Sequence, residues 1–525
     1  MTPIESTKPT PFFSHPRSHT RQLSFMALVC ALGCGAGAVA QIVNARQIAS
    51  KNTIGGQTNE SIWETSIAAG SSRAVAVYNF GGRGDELPVG YAVADLVGGQ
   101  WVWQSDHTMP SGEHPRSFDP TVAYNPLLNT FIVCAHISSA PNCSLRVGVS
   151  HFNAATGLFG EWKRIEDECG DPEISDRPTI LAGFNGLDEP AMGAVTPTFH
   201  QEYYIVWYRS DKMFYAHSTD DGINWVTGSM PGSGNHPNAA VYQGGPLYVA
   251  YRDPTVGFKF KFLKGTDNAN GTVSFVPLSL RNPDGSTLEF VDPVCGGVLG
   301  LVPNYYVQDG RLSSLLTLPW IAADPTNPDR LYLVYHALDR TCCPGSPNCP
   351  QAADEDVNVY LRRLTRLTGD TWEVSAAVKV NDDDPPNAET PSDQFLPSIH
   401  VDSQGRIHVA FYDDRDFPTQ RDGGATEPNR FNAYYARSTD GGLTFDHVDQ
   451  RLFLDSNPQL DPPAGDLSPT VPLSADWEMG EYLGITSYRN PVTGATAIWT
   501  SFNGITPLDT NGSDKSVIWA SRVDW

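Results

Sequence analysis

Ser218-Thr219-Asp220-Asp221-Gly222-Ile223-Asn224-Trp225 returns almost unchanged as Ser438-Thr439-Asp440-Gly441-Gly442-Leu443-Thr444-Phe445. Each copy follows a strand-like run, Met213 to His217 in one case and Asn432 to Arg437 in the other. A strand and turn that recur in this way report a repeated sheet module. The aspartates can fold a carboxylate back onto backbone N–H groups of the turn. Gly222 and Gly442 supply the positive φ of a tight hairpin. Trp225 and Phe445 offer a large apolar plug for the groove between neighbouring sheets.

Outward from these hairpins a four-part pattern recurs. A Pro- or Asp-led strand comes first, then an apolar strand ending in Tyr or His, then an alternating strand, then a turn with Gly and an aromatic. The modules start near Glu64, Asp119-Pro120, Asp176-Arg177-Pro178, His236-Pro237, Leu318-Pro319, Leu396-Pro397 and Asp476. A long insertion, Asn282 to Ser314, precedes the fifth. This predicts an all-β chain, a seven-bladed β-propeller, with six blades as the alternative. The last module supplies only three strands, Tyr482 to Tyr488, Ala495 to Phe502 and Ser516 to Val523. Its outermost strand is therefore expected from the N-terminal side, roughly Ile42 to Ile54, closing the ring and hiding its edges.

The 525 residues suit a repeat architecture, and 47 Gly with 41 Pro suit a chain of many turns. A net charge of −24 argues against nucleic acid and anionic membranes as partners. Residues 1–40 read as a secretory signal: Lys8, Arg17 and Arg21, then the apolar Leu23 to Leu32, then Ala38-Val39-Ala40 as a small-x-small cleavage site. The expectation is a secreted protein of one domain, 41–525, with no membrane attachment after cleavage, acting as a monomer. Cleavage leaves seven cysteines. Cys342-Cys343 with Cys349 looks like a stapled loop, and Cys134 is the candidate for a buried, unpaired thiol.

The two octapeptides resemble the Asp-box, or BNR repeat, of the sialidase superfamily. Asp95 to Trp101 and Gly369 to Trp372 look like eroded copies. Gly480-Glu481-Tyr482-Leu483-Gly484 is similar to a Gly-Asp-Tyr-x-Gly segment of secreted bacterial Asp-box proteins. The resemblance spans the mature chain as a repeat pattern. It implies a propeller with its Asp-boxes on the face away from the active site, so Ser218, Asp220, Gly222, Trp225, Ser438, Asp440, Gly442 and Phe445 are structural. It also implies an exo-α-sialidase-like glycosidase. The chain departs from the family in two ways: it lacks the early Phe/Tyr-Arg-Ile-Pro motif, whose nearest echo is Asp176-Arg177-Pro178, and sialidases of this type have six blades.

A propeller funnel is lined by loops entering the first strands and leaving the second strands. Here those positions carry Tyr208-Arg209, Tyr251-Arg252 and Tyr412-Asp413-Asp414-Arg415, together with His136 and His336. Arginines can clamp a sugar carboxylate, a carboxylic acid can protonate a glycosidic oxygen, and a tyrosine activated by a carboxylate can attack the anomeric carbon. The candidate acids are Asp176 and Asp119. The candidate nucleophiles are Tyr251 and Tyr412, with Asp414 beside the latter. Arg177, Arg209, Arg252, Arg415, His236 and Trp499 are the candidate substrate contacts. His400 and His408 lie on adjacent strands without an Asp or Cys at ligand spacing, so no metal site is assigned to them. No cofactor is expected, although Asp382-Asp383-Asp384 and Asp413-Asp414-Asp416 offer oxygen ligands to calcium.

The leading functional expectation is a secreted sialidase-like glycoside hydrolase acting on an acidic glycan. A polysaccharide lyase on the same scaffold is the second, using His136, His236 or His336 with a tyrosine. The third is a non-catalytic propeller that binds glycans or proteins.

Overall fold

The computed structural model describes residues 41–524 with breaks, the longest at 51–61, 184–200, 292–316, 339–356, 416–431 and 453–482. Among the described residues the strands form seven sheets, and four of these are plain four-stranded antiparallel units. The third is typical: Asp176–Ala182, Tyr203–Arg209, Lys212–Ser218 and Val226–Ser229 lie side by side in chain order. Its second strand is buried almost throughout, because sheets pack against both of its faces.

The first strands of the sheets are Ile62–Ala69, Ser117–Asn125, Asp176–Ala182, Asn235–Val241, Trp320–Ala323, Gln394–Val401 and Gly484–Arg489. Each touches the next, and the last touches the first. Together they line one central cavity of about 250 Å³. The chain is a β-propeller. Small side chains allow this convergence: Ala69, Ala123, Ala182, Ala240 and Ala323 face the cavity. Gly484 marks the tightest approach, since a Cβ there would come within 2.7 Å of the Ile67 amide nitrogen.

Gln41–Ser50 pairs antiparallel with Lys515–Asp524, running from Gln41 opposite Asp524 to Ser50 opposite Val517. The seventh sheet therefore contains strands from both ends of the described chain. The fifth sheet is enlarged. Ser279–Arg281 lies parallel to Thr371–Glu373 and Thr287–Leu288 pairs beside it, so the first part of the expected insertion extends a sheet edge. Trp372, fully buried, plugs the groove between the fourth and fifth sheets against Tyr248.

Both octapeptides form hairpins joining third and fourth strands. Ser218 Oγ donates to Asp220 Oδ1 at 2.9 Å, and the Asn224 amide donates to the same oxygen at 2.8 Å. In the second copy the Thr444 amide and hydroxyl donate to Asp440 at 3.0 and 2.6 Å. Burial alone would raise the Asp440 carboxyl, but the bonds from Thr444, Ser438 and Leu443 hold it down at about 2. Gly222 and Gly442 have φ of 77° and 82°. Trp225 packs between sheets and donates through Nε1 to Gly222 O at 2.8 Å, while Phe445 packs against the core of the fifth and sixth sheets.

Cys134 is buried and unpaired, with its thiol 3.1 Å from Thr121 Oγ1 and pushed up by burial to about 12. The other cysteines and Asp476 lie outside the described residues. No helix among the described residues is long and apolar enough to cross a membrane.

Candidate functional site

Five first strands share one irregularity where they begin. Glu64, Asp119, Arg177, His236 and Leu396 have φ between 48° and 53°. At each the pairing register with the second strand slips. These are β-bulges that turn one extra side chain toward the ring end. Four of the five are followed by proline: Pro120, Pro178, Pro237 and Pro397. A bulge leaves that position without a ladder bond, so the missing N–H costs nothing. A left-handed non-glycine residue costs roughly 1–2 kcal/mol, and repeating it five times marks this end of the ring as specialised.

The second strands contribute a matching ring of positions. Register places His136 opposite Phe118, Tyr208 opposite Asp176, Arg252 opposite Asn235 and Tyr412 opposite Phe395. Asn79, opposite Trp63, holds the corresponding place in the first sheet, and His336 stands two residues beyond the last pair of first and second strands in the fifth, Trp320 opposite Val334. Asp176 and Tyr208 sit at one end of the third sheet. Ser218 of the Asp-box pairs with Tyr203 at its other end.

Contacts then run from sheet to sheet. Asn79 Nδ2 donates to Glu64 Oε2 at 2.7 Å, and Asn79 Oδ1 accepts the Asp119 amide at 2.7 Å. His136 Nδ1 stands 3.3 Å from Asp119 Oδ2. One ligand-type atom from each of Asp119, His136 and Asp176 lies within 4.8 Å of the others. The Tyr208 hydroxyl donates to Asp176 and is 3.3 Å from His236 Nε2. Arg252 NH1 lies 3.4 Å from His236 Nδ1. His336 Nδ1 accepts the Leu396 amide at 3.4 Å.

The two acids are driven apart. Burial opposes ionisation of Asp119, but the bonds from Glu64, His136 and Asn79 prevail and hold its carboxyl far below the usual range. Burial and the Asp119 charge push Asp176 up. Burial, then Arg177, then Arg252 keep the His236 imidazole neutral well below its ordinary range. The rim thus carries an acidic arc from Glu64 to Asp176 and a basic arc from Arg177 to Arg252, and Tyr208 stands where they meet.

Under the basic arc Arg177, His236, Pro319 and Trp320 line a throat of about 30 Å³. That is room for about one water and none for a sugar ring. The larger central cavity is walled by small residues and by aliphatic and aromatic ones such as Ile180, Ile321 and Tyr488, with His400 Nε2 bonded to Ser487 Oγ at 2.8 Å. Charged groups converge at the rim, so the rim is the candidate site.

Of the residues singled out from sequence, Asp119, Asp176, Arg177, His236 and Arg252 come together there. Five do not. Tyr251 is buried in the core of the third and fourth sheets beside Met213 and Val249, one residue out of step with the rim. Tyr412 occupies a rim-equivalent place but is fully buried, its ring 5.9 Å from that of Phe395. Arg209 pairs with Glu166 at 3.1 Å and lies over Phe214. Arg415 pairs with Asp413, Nε to Oδ2 at 2.7 Å, and stacks on Tyr434, so this candidate substrate contact is engaged by a local acid. Trp499 packs between the first and seventh sheets, 4.8 Å from Trp101. Asp414, with Asp383, Asp384 and Asp416, lies outside the described residues. One acid does join the histidine pair: Asp402 Oδ2 is 3.1 Å from His408 Nε2, in a buried network with Arg406 and Tyr435.

The sequence matches no protein-family profile and no curated protein. Solved structures do resemble it. An α-L-arabinanase of Penicillium chrysogenum aligns at 10% identity and a TM-score of 0.40, over 71% of this chain and 94% of its own. The intramolecular trans-sialidase of Ruminococcus gnavus aligns at 9% identity and 0.40, over 75% and 98%. Trypanosoma rangeli sialidase aligns at 10% and 0.39, over 92% and 75%. Likeness at this level says nothing of this chain's chemistry, which rests on its own residues.

Proposed function

We propose that this chain is a secreted enzyme that processes an acidic glycan at the rim of a seven-bladed propeller sealed by Gln41–Ser50. The observation that carries the reading is the hydroxyl of Tyr208, in contact with both Asp176 and His236 and flanked by Arg177 and Arg252. The geometry suits elimination next to a uronate carboxylate better than hydrolysis. The arginines neutralise the sugar carboxylate and so acidify the neighbouring C–H. Neutral His236 takes that proton while Tyr208 gives its own to the departing glycosidic oxygen. The contact between Tyr208 and His236 then returns the proton from imidazole to phenolate and resets the pair.

Sialidase-like hydrolysis is the second reading, favoured by the raised Asp176, which can protonate a leaving oxygen while Tyr208 attacks as nucleophile. Two assays separate them: absorbance of an unsaturated uronate product, and release of a fluorophore from a sialoside. Tyr208→Phe should lower the responding activity by about 10²–10⁴-fold without loss of folding. Silence of the native protein in both assays, across uronate and sialic acid substrates, rejects the catalytic proposal in favour of a glycan-binding platform.

A further inference from the structure

His136 is the least explained buried group at the rim. Its side chain is fully buried; Nδ1 meets Asp119, and Nε2 makes no hydrogen bond among the described residues. Leaving a buried imidazole unsatisfied is costly. Yet the ring is aimed at carboxylates: Nδ1 stands 3.3 Å from Asp119 Oδ2, and the Asp176 carboxylate completes the group within 4.8 Å. Glu64 adds a third acid behind Asp119. This arc gathers acidic groups in a sheltered place, and the Arg177 charge is felt at Asp176.

We propose that Asp119, His136 and Asp176 bind a divalent first-row transition metal ion through one imidazole nitrogen and two carboxylate oxygens. The mixed N/O donor set suits zinc or manganese better than calcium or magnesium, which take oxygen alone. Bonds of about 2.0–2.2 Å place ligand atoms roughly 3–3.5 Å apart, so the Asp119–His136 edge already fits and Asp176 draws in modestly. The outer shell is in place. Asn79 Nδ2 lies 3.3 Å from Asp119 Oδ1, and the Tyr208 hydroxyl holds one Asp176 oxygen, leaving the other for the ion. Three protein ligands leave open positions toward the rim, as in metal sites that also hold a ligand or water. A bound ion fixes Asp176 as an ionised ligand, which removes the hydrolytic acid and leaves the Tyr208–His236 pair intact.

A second group, Glu202, His217 and Asp267, also combines one imidazole with two carboxylates and supplies the control. There His217 Nδ1 is already bonded to Gly271 O at 3.0 Å and Tyr204 donates to Asp267 Oδ2 at 2.6 Å, so the nitrogen facing the acids and one carboxylate oxygen are already engaged. The full mature chain is stripped with chelator, dialysed against zinc or manganese chloride, and its metal counted by mass spectrometry. One equivalent is expected, with a rise in Tm. His136→Gln and Asp176→Asn should each lose that equivalent while keeping the metal-free Tm within a few degrees. Glu202→Gln should retain it. No retained metal in the native chain, uptake of calcium alone, or loss in Glu202→Gln but not in His136→Gln overturns the assignment. Should His136→Gln fail to fold, Asp176→Asn decides alone. Metal counting needs no substrate, so a protein that binds one ion but is silent in both glycan assays keeps this inference and loses the functional one.

Discussion

At the scale of single residues, one strand position decides what each module offers. Tyr208-Arg209 and Tyr251-Arg252 are the same dipeptide, yet register aims Tyr208 and Arg252 at the rim and sends Arg209 and Tyr251 into cores. A shift of one residue exchanges the faces of a strand. That is why the repeated Tyr-Arg was legible as a funnel signal while its tyrosine could not be chosen from sequence. Asp119, Arg177 and His236 were legible because proline follows each. Glu64, with no proline after it, was legible only as the start of the first module, and Asn79 is an ordinary asparagine near the end of a strand, so neither carried a signal of function. His336, in the second strand of the fifth sheet, is buried and held near a pKa of about 3 by burial and by Arg252. The unfolded chain protonates this residue near pH 6.5 and the folded chain does not. Stability is therefore full above pH 6.5 and falls as pH drops toward 3. By pH 4.5 the loss is about 2–3 kcal/mol from this residue. Urea unfolding at pH 7 and 4.5 should show His336→Asn losing less stability between the two than the native chain. Equal losses would mean that the imidazole is not buried neutral.

At the scale of the element, the hairpins obeyed local chemistry and the cores obeyed packing. Ser218, Asp220 and Gly222, with their counterparts at 438, 440 and 442, satisfy the turn from within eight residues, so their structural role could be read directly. The added strand pair at 279–288 could not, because its partner, Thr371–Glu373, lies far along the chain. Gly484 belongs to the same class. Its neighbours are Ser66 and Ile67 of the first sheet, and a Cβ would have to displace backbone at 2.7–2.9 Å. Gly484→Ala should cost about 1–3 kcal/mol by urea unfolding, as overpacking does. A glycine to alanine change at Gly157, where nothing lies within 4 Å, tests backbone strain without crowding and should cost less. Equal costs at the two sites would remove crowding as the cause.

For the whole molecule, stability resides in contacts between sheets that are neighbours in space. The clusters around Trp372, Tyr91 and Trp207 each span two sheets, and the first strands meet in a closed circle. A chain lacking Gln41–Ser50 should keep most of these clusters yet expose the edge of Lys515–Asp524, an open template for pairing between molecules. Light scattering during heating should show it aggregating at least about 10 °C below the intact chain. Identical behaviour would mean that the strand adds nothing to the ring. The general pattern of sheets and the outer turns were legible because they repeat. The chemistry of the rim was not, because it arises between modules that share no local sequence.

The pairing of Gln41–Ser50 with Lys515–Asp524 also governs when the molecule can become whole. Some 460 residues must be made before the first strand meets its mate. Closing so long a loop costs chain entropy, so this pairing is expected late in folding, and the edge of Lys515–Asp524 stays open until it forms.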